Sequence, residues 1–329
     1  MRRLFIIAIP IALLGIVYAM GPNPSTPNYN IDLPAVPAGN IALEAYVATG
    51  EAAHTIKPGN QATIVWNDSL HQKTRYAIVY LHGFSASHEE GNPIHLAIAK
   101  KFGCNLYLSR LSQHGIDTAD ALVSMTAENL WESAKEAYAI GSQLGDSVIL
   151  MGTSTGGSLA LQLAATYHTN IAALVLMSPN IAINDANAWL LNNPWGLQIA
   201  HLVKASDLNT AANDTKLYKQ YWNKQYRLEA AVQLQEYVET IMTGQTFEKV
   251  TQPIATLYYY KDEQHQDPVV KVSAIQQMMK EVSTPAGLKK EQAIPGVENH
   301  VMGSYILSKD LPAVENAITT FLQQVVFTR

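Results

Sequence analysis

A single cysteine, Cys104, stands in 329 residues. That excludes an intramolecular disulfide and any zinc site built on several thiolates; Cys104 itself, at the start of an expected strand, reads as a buried, inert thiol. Charge is scarce as well. Lys, Arg, Asp and Glu make up 15% of the chain, against about 25% in ordinary soluble domains, so a chain of this length should bury much of itself in one large core, with or without a modest insertion. The net charge is −5, with no long run of either sign. Without a basic stripe neither nucleic-acid binding nor electrostatic docking on anionic lipid is expected. Also missing are H-E-x-x-H, a dense acidic cluster, G-x-G-x-x-G and G-x-x-x-x-G-K, so no metal and no cofactor is expected.

What is present begins with a distinct N-terminus. Arg2 and Arg3 precede an apolar run from Leu4 to Tyr18, followed by small residues around Ala19. Residues 1–20 therefore read as a signal peptide or an N-terminal membrane anchor, although the run is short for a span. This predicts an exported chain, periplasmic or extracellular, or one associated with the membrane through that segment. Residues 21–40 hold Pro22, Pro24, Pro27, Pro34 and Pro37 and read as an extended, unfolded tether.

Beyond it, apolar runs alternate with helical patterns. Tyr76–Leu81, Asn105–Leu108, Ser147–Met151, Ala172–Met177 and Ile254–Tyr260 read as strands, Gln61–Trp66 as a further alternating one. Ile41–Ala53, Ile94–Phe102, a stretch from an N-cap at Thr126 to Leu144, Gly157–Tyr167 and Leu311–Val325 read as helices. Runs apolar on both faces belong to covered strands, so the fold class is α/β: a mostly parallel central sheet with helices on both faces. Residues 181–250 break the alternation. They are helical in character and carry Trp189, Trp195, Tyr218, Tyr221, Trp222, Tyr226 and Tyr237. An insertion there lies at the carboxyl ends of the strands, where such sheets bind ligands. The expected organisation is a core of 41–180 and 251–329 with a helical cap at 181–250.

The chemistry concentrates in Gly152-Thr153-Ser154-Thr155-Gly156-Gly157, which follows a buried strand and opens a helix. That is the context of a nucleophile elbow, a turn so tight that the serine hydroxyl is lifted out of the fold. A serine needs a base; His300, in a polar loop before the closing helix, is the candidate. The histidine needs an acid to hold its tautomer. Asp267 is favoured, because Val269 and Val270 can pack beneath the site; Asp262, nearer the strand end, is the alternative and Glu263 a remote third. Two backbone amides should hold an oxyanion: that of Thr155, at a helix N-terminus, and that of Phe84, in the loop after Leu81. His82 and His114 then read as structural.

These pieces — His82-Gly83-Phe84, Ser109 to Gly115, the turn at Ser154, the strand before Asp262 and Asp267, and Asn299-His300 — resemble the serine α/β-hydrolase superfamily, in its esterase and lysophospholipase-like branch with an inserted cap. The resemblance covers about residues 75 to 325 and departs from the family only in the long link Lys261 to Asp267. It implies a cofactor-free carboxylesterase or lipase-like hydrolase working through an acyl-enzyme on a small ester with an apolar acyl group, short or lipid-like. A peptidase, thioesterase or acyltransferase on the same fold, or a non-catalytic binding protein on this scaffold, would share these features. The sequence does not set the oligomeric state.

Overall fold

The computed structural model of the chain describes residues 13 and 15–328. Its centre is a seven-stranded sheet of β1 (Thr63–Val65), β2 (Thr74–Leu81), β3 (Asn105–Leu108), β4 (Gly145–Thr153), β5 (Ile171–Met177), β8 (Ile254–Tyr258) and β11 (Lys289–Ala293), in the spatial order β1-β3-β2-β4-β5-β8-β11. All neighbours are parallel except β1, which runs antiparallel to β3. The crossovers that parallel pairing demands are supplied by helices on both faces. On one face α3 (Ala127–Leu144), α4 (Thr155–Thr166) and α9 (Val272–Glu281) share an apolar core with the inward residues of the strands. On the other, α2 (Ile94–Phe102) and α10 (Leu311–Val325) do so.

The local reasons are conventional. Ile78, Val79, Tyr80 and Leu81 of β2 and Val148 to Met151 of β4 are all fully buried, each large aliphatic among them contributing about 1.5–3 kcal/mol by leaving water. Helix α3 starts in a capping box, the Thr126 hydroxyl accepting from the Asn129 amide and the Asn129 side chain accepting from the Thr126 amide, an arrangement worth about 1 kcal/mol. Cys104 is buried, and burial pushes its thiol up to about 12.

Between β5 and β8 the chain leaves the sheet. It forms α5 (Gly196–Lys204), a two-stranded hairpin of β6 (Leu208–Thr210) and β7 (Gln225–Arg227) enclosing α6 (Lys216–Tyr221), then α7 (Leu228–Ile241) and α8 (Gly244–Phe247). The aromatics of this stretch divide: Tyr237 of α7 is fully buried in the main core, whereas Tyr218, Trp222 and Tyr226 line a cavity over the sheet.

The proline-rich segment is extended, as its composition requires, but it is docked. The Trp131 indole donates to the Asn30 carbonyl at 2.6 Å, the buried Lys135 ammonium to the Asp32 carbonyl at 2.7 Å, and the Tyr167 hydroxyl to the Ile31 carbonyl at 2.7 Å. A helix α1 (Asn40–Ala52) follows. The localisation read from residues 1–20 is corrected on its membrane anchor. Among the described residues no helix is long and apolar enough to cross a membrane. Within that segment the Val17 carbonyl accepts from the Trp195 indole at 2.9 Å. Residues 1–12 and 14 of that segment lie outside the described residues.

Candidate active site

The turn at Ser154 joins β4 directly to α4. Ser154 adopts φ 53° and ψ −120°, a left-handed conformation that costs a non-glycine residue of order 1–3 kcal/mol. The turn closes only because its flanks are bare. A Cβ on Gly152 would strike the Gly156 carbonyl, and one on Gly156 would strike the Leu81 carbonyl of β2. The backbone is held from below: the Ser154 amide donates to the Met177 carbonyl at 3.0 Å, and the Ser154 carbonyl accepts from Gly157 at 2.9 Å and Asn180 at 3.0 Å.

The long link after β8 folds as a hairpin of β9 (Tyr260–Asp262) and β10 (His265–Gln266), and this decides where the two aspartates go. Asp262 stays on the hairpin, half exposed, accepting from the amides of Gln264 and His265 and from the His265 ring. Asp267 emerges at the hairpin's base and is fully buried. Its Oδ2 lies 2.7 Å from His300 Nδ1, and its Oδ1 accepts from the amides of Val269 at 2.8 Å and Val270 at 3.1 Å. The carboxylate is thus held at both of its oxygens. The link's departure from the family pattern is a hairpin insertion, and the pair Val269 and Val270 acts through its amides; of the two side chains only Val270 is buried, while Val269 is half exposed.

Burial alone would raise the Asp267 pKa. The charge and hydrogen bond of His300, with the two amides, outweigh it and hold the carboxyl below its ordinary 3.8. For His300 burial acts downward, but the charge and hydrogen bond of Asp267 and the charge of Glu90 more than offset it, so the imidazole stands above its ordinary 6.5. The signs place the consequences. The stability Asp267 gains is present above pH 3.8 and is lost as pH falls through its lower folded value; that of His300 is present below pH 6.5 and lost as pH rises through its higher one. As a base, His300 would act only when neutral. The acid limb of kcat/KM for an uncharged ester is therefore expected to have its midpoint above pH 6.5. A pH–rate profile checks this; a midpoint well below 6.5 would contradict it.

Ser154 and His300 line the same cavity, of about 860 Å³, together with Phe84, Thr155, Glu90 and Asn180 at its floor. Its walls are largely apolar and include Leu190, Ile199, Val203, Leu228 and Leu234. The Thr155 amide is the first of α4, one of the donors a helix start leaves free. The Phe84 ring packs edge-on against Tyr226 and His114. His82 braces the turn beside it: Nε2 accepts from the Leu111 amide at 3.0 Å, which leaves Nδ1 to donate to the Gly83 carbonyl at 2.8 Å. His114 binds the Ser112 carbonyl at 2.8 Å through Nδ1, and burial drives its pKa down to about 4. Both rings therefore tie loops together as neutral groups.

Two cavity residues were not anticipated. Asn180 follows β5; its carbonyl accepts from the Ser158 hydroxyl at 2.6 Å, and its side-chain Oδ1 is buried with no partner among the described residues. Glu90 lies in a short 3-10 helix, His88–Gly91, and is 2% exposed. Nothing local marks either one, since a buried Glu and a solvated Glu are the same letter.

The model of the alpha/beta hydrolase fold family matches residues 76–263. No curated protein matches the sequence. Among solved structures, one of the metagenome-derived lipolytic enzymes LipS and LipT is similar over 82% of this chain and 99% of its own, at 16% identity and a TM-score of 0.66. A monoacylglycerol lipase of Paleococcus ferrophilus is similar over 79% and 97%, at 12% identity and a TM-score of 0.59. Est1E of Butyrivibrio proteoclasticus, with ferulic acid bound, is similar over 81% and 95%, at 17% identity and a TM-score of 0.52. At such identities the likeness is one of fold.

Proposed function

Because the chain belongs to the alpha/beta hydrolase fold family, we propose that it is a serine hydrolase cleaving carboxylic esters through an acyl-enzyme, with Ser154 as nucleophile, His300 as base and Asp267 as the acid that orients it. One observation carries the reading: the left-handed serine and the histidine held by a buried carboxylate line one apolar cavity. With Asp267 on Nδ1, the other ring nitrogen is left to accept a proton. Ser154 Oγ attacks the ester carbonyl carbon while its proton passes to His300. The carbonyl oxygen becomes an oxyanion held by the amides of Thr155 and Phe84. Collapse breaks the bond to the alcohol, which leaves with the proton from His300. A water then gives its proton to His300 and its oxygen to the acyl carbon; the acid departs and Ser154 regains the proton.

Residues 181–250 act as a cap that supplies most of the apolar wall, and an apolar wall with few polar groups suits an ester with a hydrocarbon acyl group. The test is a fluorophosphonate probe on the purified protein, run beside a panel of p-nitrophenyl esters of increasing acyl length and matched thioesters and aminoacyl amides. Labelling, with ester turnover well above amide turnover, is expected. Labelling with the amides turned over faster would make the chain a peptidase, and faster thioester turnover a thioesterase. No labelling and no turnover would mean a binding protein on this fold.

A further inference from the structure

Glu90 has no part in the scheme above, yet it sits where the pieces of the site meet. Its carboxylate accepts the Gly83 amide at 2.5 Å. A Cβ on Gly83 would come within 2.8 and 3.0 Å of the two Glu90 oxygens and 3.1 Å of Ser154 Cβ, so the carboxyl and the serine side chain converge over one glycine. The short helix carrying Glu90 is sutured to the loop carrying His300: the Ser304 hydroxyl donates to the Glu89 carbonyl at 3.2 Å, the Tyr305 amide to the Asn92 carbonyl at 2.9 Å, and Pro93 and Ser304 form an antiparallel bridge.

We propose that Glu90 is a positioning residue of the acyl-transfer site, pinning the turn that presents the Phe84 amide and setting a second carboxylate against His300. The inference rests on the acyl-enzyme reading. The Phe84 N–H lies in the same peptide plane as the Gly83 carbonyl. That carbonyl accepts from His82 Nδ1 at 2.8 Å and from the Ala86 amide at 3.3 Å, while the Gly83 amide is taken by Glu90. With both ends of Gly83 tied, the direction of the next amide is set before substrate arrives, which is the form oxyanion stabilisation takes when it costs no reorganisation.

The second role is electrostatic. The groups acting on Glu90 or feeling its charge are Tyr80 of β2, Tyr218 of α6 and His300, with His88 and Glu89 beside it on its own helix. Tyr80 and Tyr218 are pushed up by burial and by Glu90 itself, and burial pushes His88 down. That leaves the His300 imidazolium as the cation in the group. Burial drives the Glu90 carboxyl up to about 7, held back by the Gly83 amide and His300. Each group therefore acts on the other's ionisation: His300 holds the Glu90 carboxyl down and Glu90 holds the His300 imidazole up.

Glu90→Gln keeps an oxygen for the Gly83 amide but has no charge; Glu90→Ala loses both. The experiment follows the His300 imidazole by ¹⁵N NMR across pH in the full-length protein and measures kcat and KM for a p-nitrophenyl ester in parallel. In both variants the His300 midpoint is expected to fall by about 0.5–1 pH unit. Loss of the pinned amide should add, in Glu90→Ala alone, a further fall in kcat of about ten- to a hundredfold with KM changed less than about twofold. A His300 midpoint in Glu90→Gln that matches the wild type overturns the electrostatic role. Equal kcat in the two variants overturns the pinning role. The NMR reading does not depend on turnover: a protein inert to fluorophosphonate that still shows the displaced titration would end the acyl-enzyme reading and leave the Glu90–His300 coupling standing.

Discussion

Replacing Ser154 by alanine is expected to lower kcat/KM for an activated ester by roughly ten-thousand- to a millionfold and to abolish fluorophosphonate labelling. The magnitude follows from the proposed role: without the hydroxyl no acyl-enzyme would form, and what would survive is the contribution of the amides and the cavity to direct attack by water. The fold should not suffer, since the Ser154 backbone bonds to Met177, Gly157 and Asn180 are independent of the side chain, and Tm should move by no more than about 2–4 °C. Ser154→Gly sharpens the test. Glycine accepts φ 53° without the clash that serine and alanine bear, so this variant is expected to be equally inactive yet to melt above Ser154→Ala. A site whose nucleophile is held under strain shows this opposition of stability and activity. Labelling that persists in Ser154→Ala would move the nucleophile elsewhere, and a glycine variant that melts below the alanine one would show that the bend is not strained.

How far the letters carried this picture depended on whether a feature is local. β4 was legible because it is covered on both faces and therefore reads as a continuous apolar run, and the turn after it because Gly152 and Gly156 are demanded by carbonyls a few ångströms away. β11 was not. Lys289-Lys290-Glu291-Gln292-Ala293 has no apolar alternation, because an edge strand presents one side to water; it is a strand only by its parallel pairing with β8. The docking of residues 30–32 was hidden for the same reason. Prolines dictate an extended chain, but the donors that capture it come from Trp131, Lys135 and Tyr167, about a hundred residues away or more. Glu90 is the extreme case, since the burial of a carboxylate is wholly a tertiary fact. The placing of Asp262 and Asp267 stands between these limits: it turns on a hairpin whose second strand, His265–Gln266, is two residues long, too short to leave a periodicity.

Asp267→Asn is expected to cost about ten-thousandfold in kcat, while Asp262→Asn stays within about twofold of the wild type. The asymmetry is built from hydrogen-bond direction. In Asp267→Asn the side-chain oxygen can still accept from the Val269 and Val270 amides as Oδ1 does now, so the loop keeps its shape. The amide nitrogen then faces His300 Nδ1. A donor there makes Nδ1 the acceptor and moves the ring proton to Nε2, the atom that must take the proton from Ser154, so the base is blocked by its tautomer. The charge that held His300 above its ordinary range goes as well, and the NMR midpoint of His300 should fall together with kcat. Asp262 offers no such lever. Its carboxylate is half exposed and engaged with His265 and two amides at the hairpin tip, and asparagine keeps the amide bonds. Steady-state kinetics of the two variants side by side, with thermal melts to confirm folding, decide the matter. An Asp267→Asn protein that retains a tenth or more of wild-type kcat, beside an Asp262→Asn protein that loses a hundredfold, would transfer the acid's role to the hairpin and require the β9–β10 ribbon to swing inward during turnover.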